Sequence, residues 1–302
     1  MEKSLKVFLL KVCLFTVPIF LLFEIFFRLG LYPIFTTSGN LDAKIISLQK
    51  RHFKHIDIIM TGSSVGGYDI VDSAIAGSFN KSYYNLSSWG LQVIDMEALD
   101  KTWVERYHPK YLIVVSILSD FRRPDRGIFT NYVNTDNWIK NNFPEYFYFS
   151  DYRSISQLIR RKTGASFSFN SLGGQPSPFI HEDKKKHKWV AEDDSFPTAY
   201  TQANYNALNS LSSFLKQQQV KLIFIQAPVA NSRSGEAFYK TMIARHFNTC
   251  KNIVERNNGV YLNYYDRASF SDSMFYDKNH LIRKGAVILT KKIAEDLKNI
   301  IK

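Results

Sequence analysis

The chain has only two cysteines in 302 residues, Cys13 in an apolar N-terminus and Cys250 on an expected helix. Two such residues exclude a disulfide framework and leave the redox compartment open. There is no zinc-finger spacing, no Walker loop and no RNP-like aromatic motif, so the usual sequence support for nucleic-acid binding is missing. Nothing implies a metal or a diffusible cofactor. No internal repeat is visible, which sets aside solenoid architectures. The residues after the apolar N-terminus, Arg28-Leu29-Gly30-Leu31-Tyr32-Pro33, offer no small-x-small cleavage site.

What the chain does have is apolar mass and positive charge. Hydrophobic residues make up 45% of it, enough for a sizeable core, and its length suits one large α/β domain with a terminal appendage. The net charge is +12. A solvated lysine-rich surface is the default explanation; affinity for anionic lipid headgroups, an acidic glycan or nucleic acid are the sharper ones.

Val7 to Phe27 is apolar apart from Lys11, Thr16, Pro18 and Glu24. That is about the length a bilayer core requires of a helix. Lys11 can snorkel to one face, and Glu24 and Arg28 lie near the other. A signal peptide with Val12 to Phe23 as its apolar region is the alternative, and the missing cleavage site favours an uncleaved anchor over residues 1–35. Lys3, Lys6 and Lys11 precede the span while Arg28 and Lys44 follow it. This small excess favours a single-pass protein of the cell membrane with residues 36–302 outside the cytoplasm.

From Ile56 onward, short apolar runs alternate with helical periodicity. Expected strands are the run after His55, then Ser82 to Leu86, Tyr111 to Leu118, Val220 to Ala227 and Gly259 to Tyr264. Tyr111 to Leu118 is apolar throughout, as strands covered on both faces are. Between them Leu91, Ile94, Ala98, Leu99 and Val104 recur at helical spacing until His108-Pro109. Leu208, Leu211, Phe214 and Leu215 do the same, as do Phe238, Met242, Phe247, Cys250 and Val254, and a last helix is expected from about Arg283 to Ile300. Such alternation with short connections predicts a mainly parallel five-stranded sheet with helices on both faces.

Residues 121–200 break the rhythm. They are rich in aromatics (Tyr132, Trp138, Tyr146, Phe147, Tyr148, Trp189) and contain Gly173-Gly174-Gln175-Pro176 and a lysine-rich run at Lys184–Lys188. A structureless loop of that length is unusual inside a compact domain, so a small inserted cap with a helix near Ile155 to Arg161 is expected. Its aromatics form either a local core or a sugar-stacking or acyl-chain surface beside a site.

The chemistry concentrates in two places. His55 to Met60 runs as a short strand into Thr61-Gly62-Ser63-Ser64-Val65-Gly66, and a serine at the carboxyl end of a parallel strand sits where open α/β sheets bind ligands. Near the other end, Asp277-Lys278-Asn279-His280 brings a carboxylate and an imidazole into one loop. Serine, Asp and His in that order are the elements of a nucleophile with its base and orienting acid.

These residues resemble the SGNH (GDSL-like) hydrolase family over roughly residues 55 to 300, the inserted segment excepted. Its first block looks like Gly62-Ser63-Ser64, implying Ser64 as nucleophile, with Ser63 where Asp is usual. Membrane-anchored members that modify envelope polymers, such as the teichoic-acid D-alanylation and alginate O-acetylation proteins, share that change. Asn85 through Gly90 looks like the second block and implies the Gly90 N–H as an oxyanion donor beside that of Ser64. Asp277 and His280 match the final Asp-x-x-His, with Leu281 and Lys284-Gly285 following as in relatives. The proline turn Ala227-Pro228-Val229-Ala230-Asn231 is also similar. The third block departs: Ile117-Leu118-Ser119-Asp120 stands where relatives carry Gly-x-Asn-Asp, so Ser119 offers a hydroxyl in place of an amide. Loss of one oxyanion donor can cost about a hundredfold to a thousandfold in rate.

The resemblance implies a flavodoxin-like α/β/α sandwich and two-step acyl transfer on a cell-envelope polysaccharide. Partners would be the bilayer, an acylated glycan and an integral-membrane acyl donor protein. A non-catalytic glycan-binding scaffold is the competing expectation, motivated by the third block. Gly62-x-Ser64-x-Gly66 also fits the α/β-hydrolase elbow. That elbow follows several strands, whereas one strand precedes Ser64.

Overall fold

The computed structural model of the chain describes residues 2–28, 38–49, 51–122, 167, 169–175, 198–231, 237–267 and 270–302. Five strands form one sheet: β1 (Ile58–Gly62), β2 (Tyr83–Asn85), β3 (Tyr111–Ser116), β4 (Lys221–Gln226) and β5 (Val260–Asn263). Their order is β2-β1-β3-β4-β5 and every pairing is parallel. This is the flavodoxin-like doubly wound order, whose ligand crevice lies between β1 and β3 at the carboxyl ends of the strands. Gly62, the last residue of β1, pairs with Val115 of β3 there.

The described helices are α1 (Glu2–Arg28), α2 (Gly39–Gln49), α3 (Ser64–Tyr68), α4 (Asp72–Ser78), α5 (Val93–Tyr107), α6 (Thr198–Gln217), α7 (Ala237–Arg256), α8 (Tyr264–Arg267) and α9 (Arg283–Leu297). Alternation along the strands divides the apolar residues between two layers. Ile59, Leu112, Val114, Leu222 and Phe224 meet α2, α5, α6 and α7 on one face. Ile58, Met60, Ile113, Val115, Ile223 and Ile225 meet α3, α4 and α9 on the other. The chain is thus a three-layer α/β/α sandwich. α5 opens with the Asp95 carboxylate accepting the Gln92 N–H and ends on His108 in the left-handed region (φ 48°), where Pro109 prevents continuation.

Each expected strand is present, in most cases with trimmed ends. β3 stops at Ser116 although the apolar run continues to Leu118, because the Asp120 carboxylate takes the Ile117 N–H and turns the backbone into a 3-10 turn at Leu118–Phe121. The last helix ends at Leu297 rather than about Ile300. α2, α3 and α4 were not expected. In α2, Leu41, Ile45 and Leu48 lie on one buried face, and the polar residues between them dilute a signal only 11 residues long. The expected helix near Ile155 to Arg161 and the aromatics Tyr132, Trp138, Tyr146, Phe147, Tyr148 and Trp189 lie outside the described residues.

α1 includes Lys3–Leu22, 20 residues long and apolar enough to cross a membrane, with none of that stretch buried within the protein. By length and composition it fits a membrane span, and a signal sequence meets the same criteria.

Candidate active site

β1 ends in a turn that only glycine suits. Gly62 has φ +154°, and a Cβ on it would run into the Val115 carbonyl oxygen and approach Ser87 Oγ. Gly66, one turn later, is pressed against the Ser87 side chain in the same way. Between them the two adjacent serines diverge. Ser63 is buried and its hydroxyl donates to Asp120 Oδ2 at 2.9 Å. Ser64, half-buried at the start of α3, lies with its Oγ 2.7 Å from His280 Nε2.

The imidazole is held on its other side by Asp277, whose Oδ2 is 2.7 Å from Nδ1. A carboxylate only accepts, so Nδ1 carries the proton and Nε2 of the neutral ring accepts from the Ser64 hydroxyl. Asp277 is itself fixed: its Oδ1 accepts the N–H groups of Asn279 and His280, both at 2.8 Å. The loop is closed by Tyr276 N–H on the His280 carbonyl at 2.7 Å and by a bridge between Phe275 and Leu281. It is tied to the serine side by Leu281 N–H donating to Asp69 Oδ1 at 2.9 Å, Asp69 being the residue that ends α3.

Carboxylates set the electrostatics. Burial by itself pushes the His280 ring down, but Asp277 at Nδ1, with Asp69 and Asp120 nearby, holds it above the ordinary histidine value. Asp277 is pushed up by burial, yet its bonds from His280 and the two N–H groups leave it below the ordinary carboxylate range. Burial raises Asp69 to about 8 and Asp120 to about 7. Asp120 Oδ2 accepts from Ser63, Ser116 and the Ile117 N–H. No group of His, Cys, Asp and Glu suited to a metal ion occurs among the described residues.

The second block runs beside β1. Leu86 N–H donates to the Met60 carbonyl at 2.7 Å and Ser88 N–H to that of Gly62 at 3.0 Å. Asn85 spends its side chain on structure: its amide donates to the Gly66 carbonyl and Asp72 Oδ1, and its Oδ1 accepts the Ser87 N–H. Gly90 follows with φ +68°, in the left-handed region that glycine tolerates. Ser119 lies half-buried in the 3-10 turn after β3, one residue before Asp120. Ser64, Asp277 and His280 therefore meet in one hydrogen-bonded chain, while Gly90 and Ser119 stand on the two loops that follow β2 and β3.

Several residues around this chain were not singled out in the sequence. α2 clamps the second block: Lys44 Nζ donates to the Asn85 carbonyl at 3.1 Å, and Asn40 Oδ1 accepts from Ser88 Oγ at 2.8 Å. Lys44 is wholly buried and desolvation lowers it to about 7, against the pull of Asp72. Its place on the apolar face of α2, beside Leu41, Ile45 and Leu48, was the available signal. Asp69 and Asp72, three apart after α3, carried no mark distinguishing them from ordinary helix-end residues. Trp89 lies inside the second block, where the resemblance marks the glycine next to it.

No family model matches this chain. No curated protein matches it either. Among solved structures it is similar to a candidate acylhydrolase from Bacteroides fragilis, with 13% identity over 85% of this chain and 95% of that one and a TM-score of 0.48. It is similar also to a catalytic variant of an acetylxylan esterase from Geobacillus stearothermophilus (11% identity, 81% and 95% covered, TM-score 0.44). A third is an alpha/beta hydrolase enzyme from the metagenome of Lake Arreo, Spain (10% identity, 80% and 95% covered, TM-score 0.45). Likeness at this level carries no argument about chemistry, which rests on the geometry of the site.

Proposed function

We propose that this chain is a serine esterase or O-acyltransferase of the SGNH type, acting on acyl groups of a cell-envelope polysaccharide. The observation that supports it most is the chain Ser64–His280–Asp277, with both contacts at 2.7 Å. Ser64 Oγ attacks the ester carbonyl as His280 Nε2 takes its proton. The tetrahedral oxyanion is stabilised by the N–H groups of Ser64 and Gly90, with the Ser119 hydroxyl as third donor. The C–O bond to the leaving alcohol then breaks, and His280 returns the proton to that oxygen. In the second step His280 removes a proton from the acceptor, water or a sugar hydroxyl, which attacks acyl-Ser64 and restores the serine. Both steps need neutral His280, so activity rises with pH through its raised value.

The apolar α1 and the Ser63 variant of the first block favour transfer onto a glycan beside the membrane, with residues 36–302 outside the cytoplasm as the catalytic domain. An integral-membrane acyl donor protein would load Ser64. The departure at Ser119 favours the rival, a non-catalytic glycan-binding scaffold. A fluorophosphonate probe on the full chain at mildly alkaline pH separates them: labelling lost in Ser64→Ala and kept in Ser63→Ala is expected. An unlabelled wild type leaves the scaffold. Acyl content of envelope polysaccharide from strains carrying Ser64→Ala then reads direction. A fall supports transfer, and a rise means hydrolysis.

A further inference from the structure

Outside α1, the exposed large apolar side chains among the described residues are Trp89 and Val287. Val287 lies on the solvent side of α9. Trp89 is 43% exposed, and it sits in the mouth of the candidate site, directly before Gly90. Its indole is not loose. The ring N–H donates to Gln175 Oε1 at 3.0 Å, and Phe167 packs edge-on with centroids 5.3 Å apart. Tyr68 is tilted against it at 5.9 Å, and Tyr68 in turn is edge-on to His280, also at 5.9 Å. A row of rings thus runs from the imidazole to an indole that touches three neighbours and is still open to solvent.

Holding a large aromatic in one orientation while leaving it in water gains little for folding, so an occupant is the economical explanation. The rim decides its chemistry. The Gln175 amide lies against the indole, and an acyl tail laid there would strip that amide of water without replacing its bonds. A sugar presents C–H groups to the electron-rich ring face and hydroxyls to the amide around it. The row of rings also fixes the distance: an occupant of Trp89 lies beside Ser64, not on a remote surface.

We infer that Trp89, set by Gln175 and Phe167, is the stacking platform for the sugar residue adjacent to the reacting ester. This inference rests on the esterase or transferase reading above and assigns that reading its specificity-determining residue. Trp89 lies outside the inserted segment at 121–200 to which the sequence pointed for such a surface. Gln175 and Phe167, which belong to that segment, bring only the supports.

The test uses the full chain in lipid nanodiscs, with four probes: p-nitrophenyl acetate, p-nitrophenyl octanoate and acetylated tetrasaccharides of glucose and of N-acetylglucosamine. The readout is the ratio of kcat/KM for sugar ester to that for p-nitrophenyl acetate. Trp89→Ala is expected to lower it about tenfold, through KM, and Trp89→Phe about threefold. Gln175→Ala, which unpins the indole without removing it, moves the ratio in the same direction and serves if Trp89→Ala unfolds. An unchanged ratio makes Trp89 a support of the Gly90 loop and overturns the inference. So does a loss confined to the octanoate. If the wild type turns over none of the esters, the enzymatic reading fails, and calorimetry with the unacetylated tetrasaccharides decides the platform alone. Binding that is weakened in Trp89→Ala sustains it, and no binding overturns it.

Discussion

His280 lies between Ser64 and Asp277 at the carboxyl edge of the sheet; His246 of α7 lies between Tyr205 of α6 and Gln226 of β4. His246 is fully buried, with Nε2 donating to Gln226 Oε1 and Nδ1 accepting from the Tyr205 hydroxyl, each at 2.9 Å. The Gln226 amide is turned that way by its own nitrogen, which donates to the Ala227 carbonyl. Every partner is neutral, and burial drives this ring down to about 3. Burial opposes the charge on His280 too, but three carboxylates reverse the outcome. The same side chain is thus a neutral cross-link between layers in one place and a base held above its ordinary value in the other. His280 is the shallower of the two, with 18% of its side chain exposed, but burial still opposes its charge, and it is the charge of its neighbours that reverses the outcome.

The strongest way to break this contrast is to give His280 a neutral partner as well. Asp277→Asn keeps the shape of the side chain and removes its charge. Turnover of p-nitrophenyl acetate is expected to fall about 10³–10⁴-fold, because the ring loses its tautomer and its stabilised imidazolium. The acid limb of kcat/KM should move to lower pH, since the anion holding the ring above its ordinary value is gone. A limb that stays in place would mean that Asp277 is not what raises His280.

The second test strikes the other histidine. The His246 value lies below that of the unfolded chain, near 6.5, so only the unfolded state takes a proton as pH falls between them. The contribution is full above pH 6.5 and eroded from there toward about 3, at up to about 1.4 kcal/mol per pH unit. His246→Leu should cost about 1–3 kcal/mol at pH 8 by stranding the Tyr205 hydroxyl and the Gln226 amide, and should flatten that dependence. Urea midpoints across pH 5 to 8 measure both. Labelling at Ser64 should persist at pH 8.

How the two histidines differ was half legible in the sequence. Asp277-x-x-His280 announces itself because both members sit in one loop, and a carboxylate three residues away needs no fold to reach an imidazole. Ser64 was readable for a similar reason: the glycines and strand that present it are its chain neighbours. His246 was unreadable, since Tyr205 and Gln226 are 41 and 20 residues away and nothing local reports their approach. The same holds for Lys44 and Asp72, which meet Asn85 only once α2 and α4 pack against the sheet. Alternation and the short connections gave the parallel five-stranded sheet with helices on both faces, whereas the order β2-β1-β3-β4-β5 is set by pairings between distant segments. The short helices α2, α3 and α4 were lost because helical periodicity needs several turns to rise above chance.

The smallest effect expected is at Ser63, and it sharpens the contrast from the side of the carboxylates. Asp120 is one of the anions near His280, and its ionised form is favoured by three donors on Oδ2, the Ile117 N–H and the hydroxyls of Ser63 and Ser116. Ser63→Ala removes one. Asp120, already raised to about 7 by burial, should rise further and carry less charge near neutrality. His280 then feels a weaker field, so the acid limb should slide to lower pH by a few tenths of a unit, in the direction of Asp277→Asn but far less. Stability should drop by about 1 kcal/mol, as for loss of one buried hydrogen bond. Ser116→Ala offers an internal control, because its hydroxyl meets the same oxygen at 3.0 Å without adjoining Ser64. If both variants shift the limb alike, the shift travels through Asp120. If only Ser63→Ala moves it, the cause is the disturbed turn around Ser64, and Asp120 drops out of the set of anions that keep His280 basic.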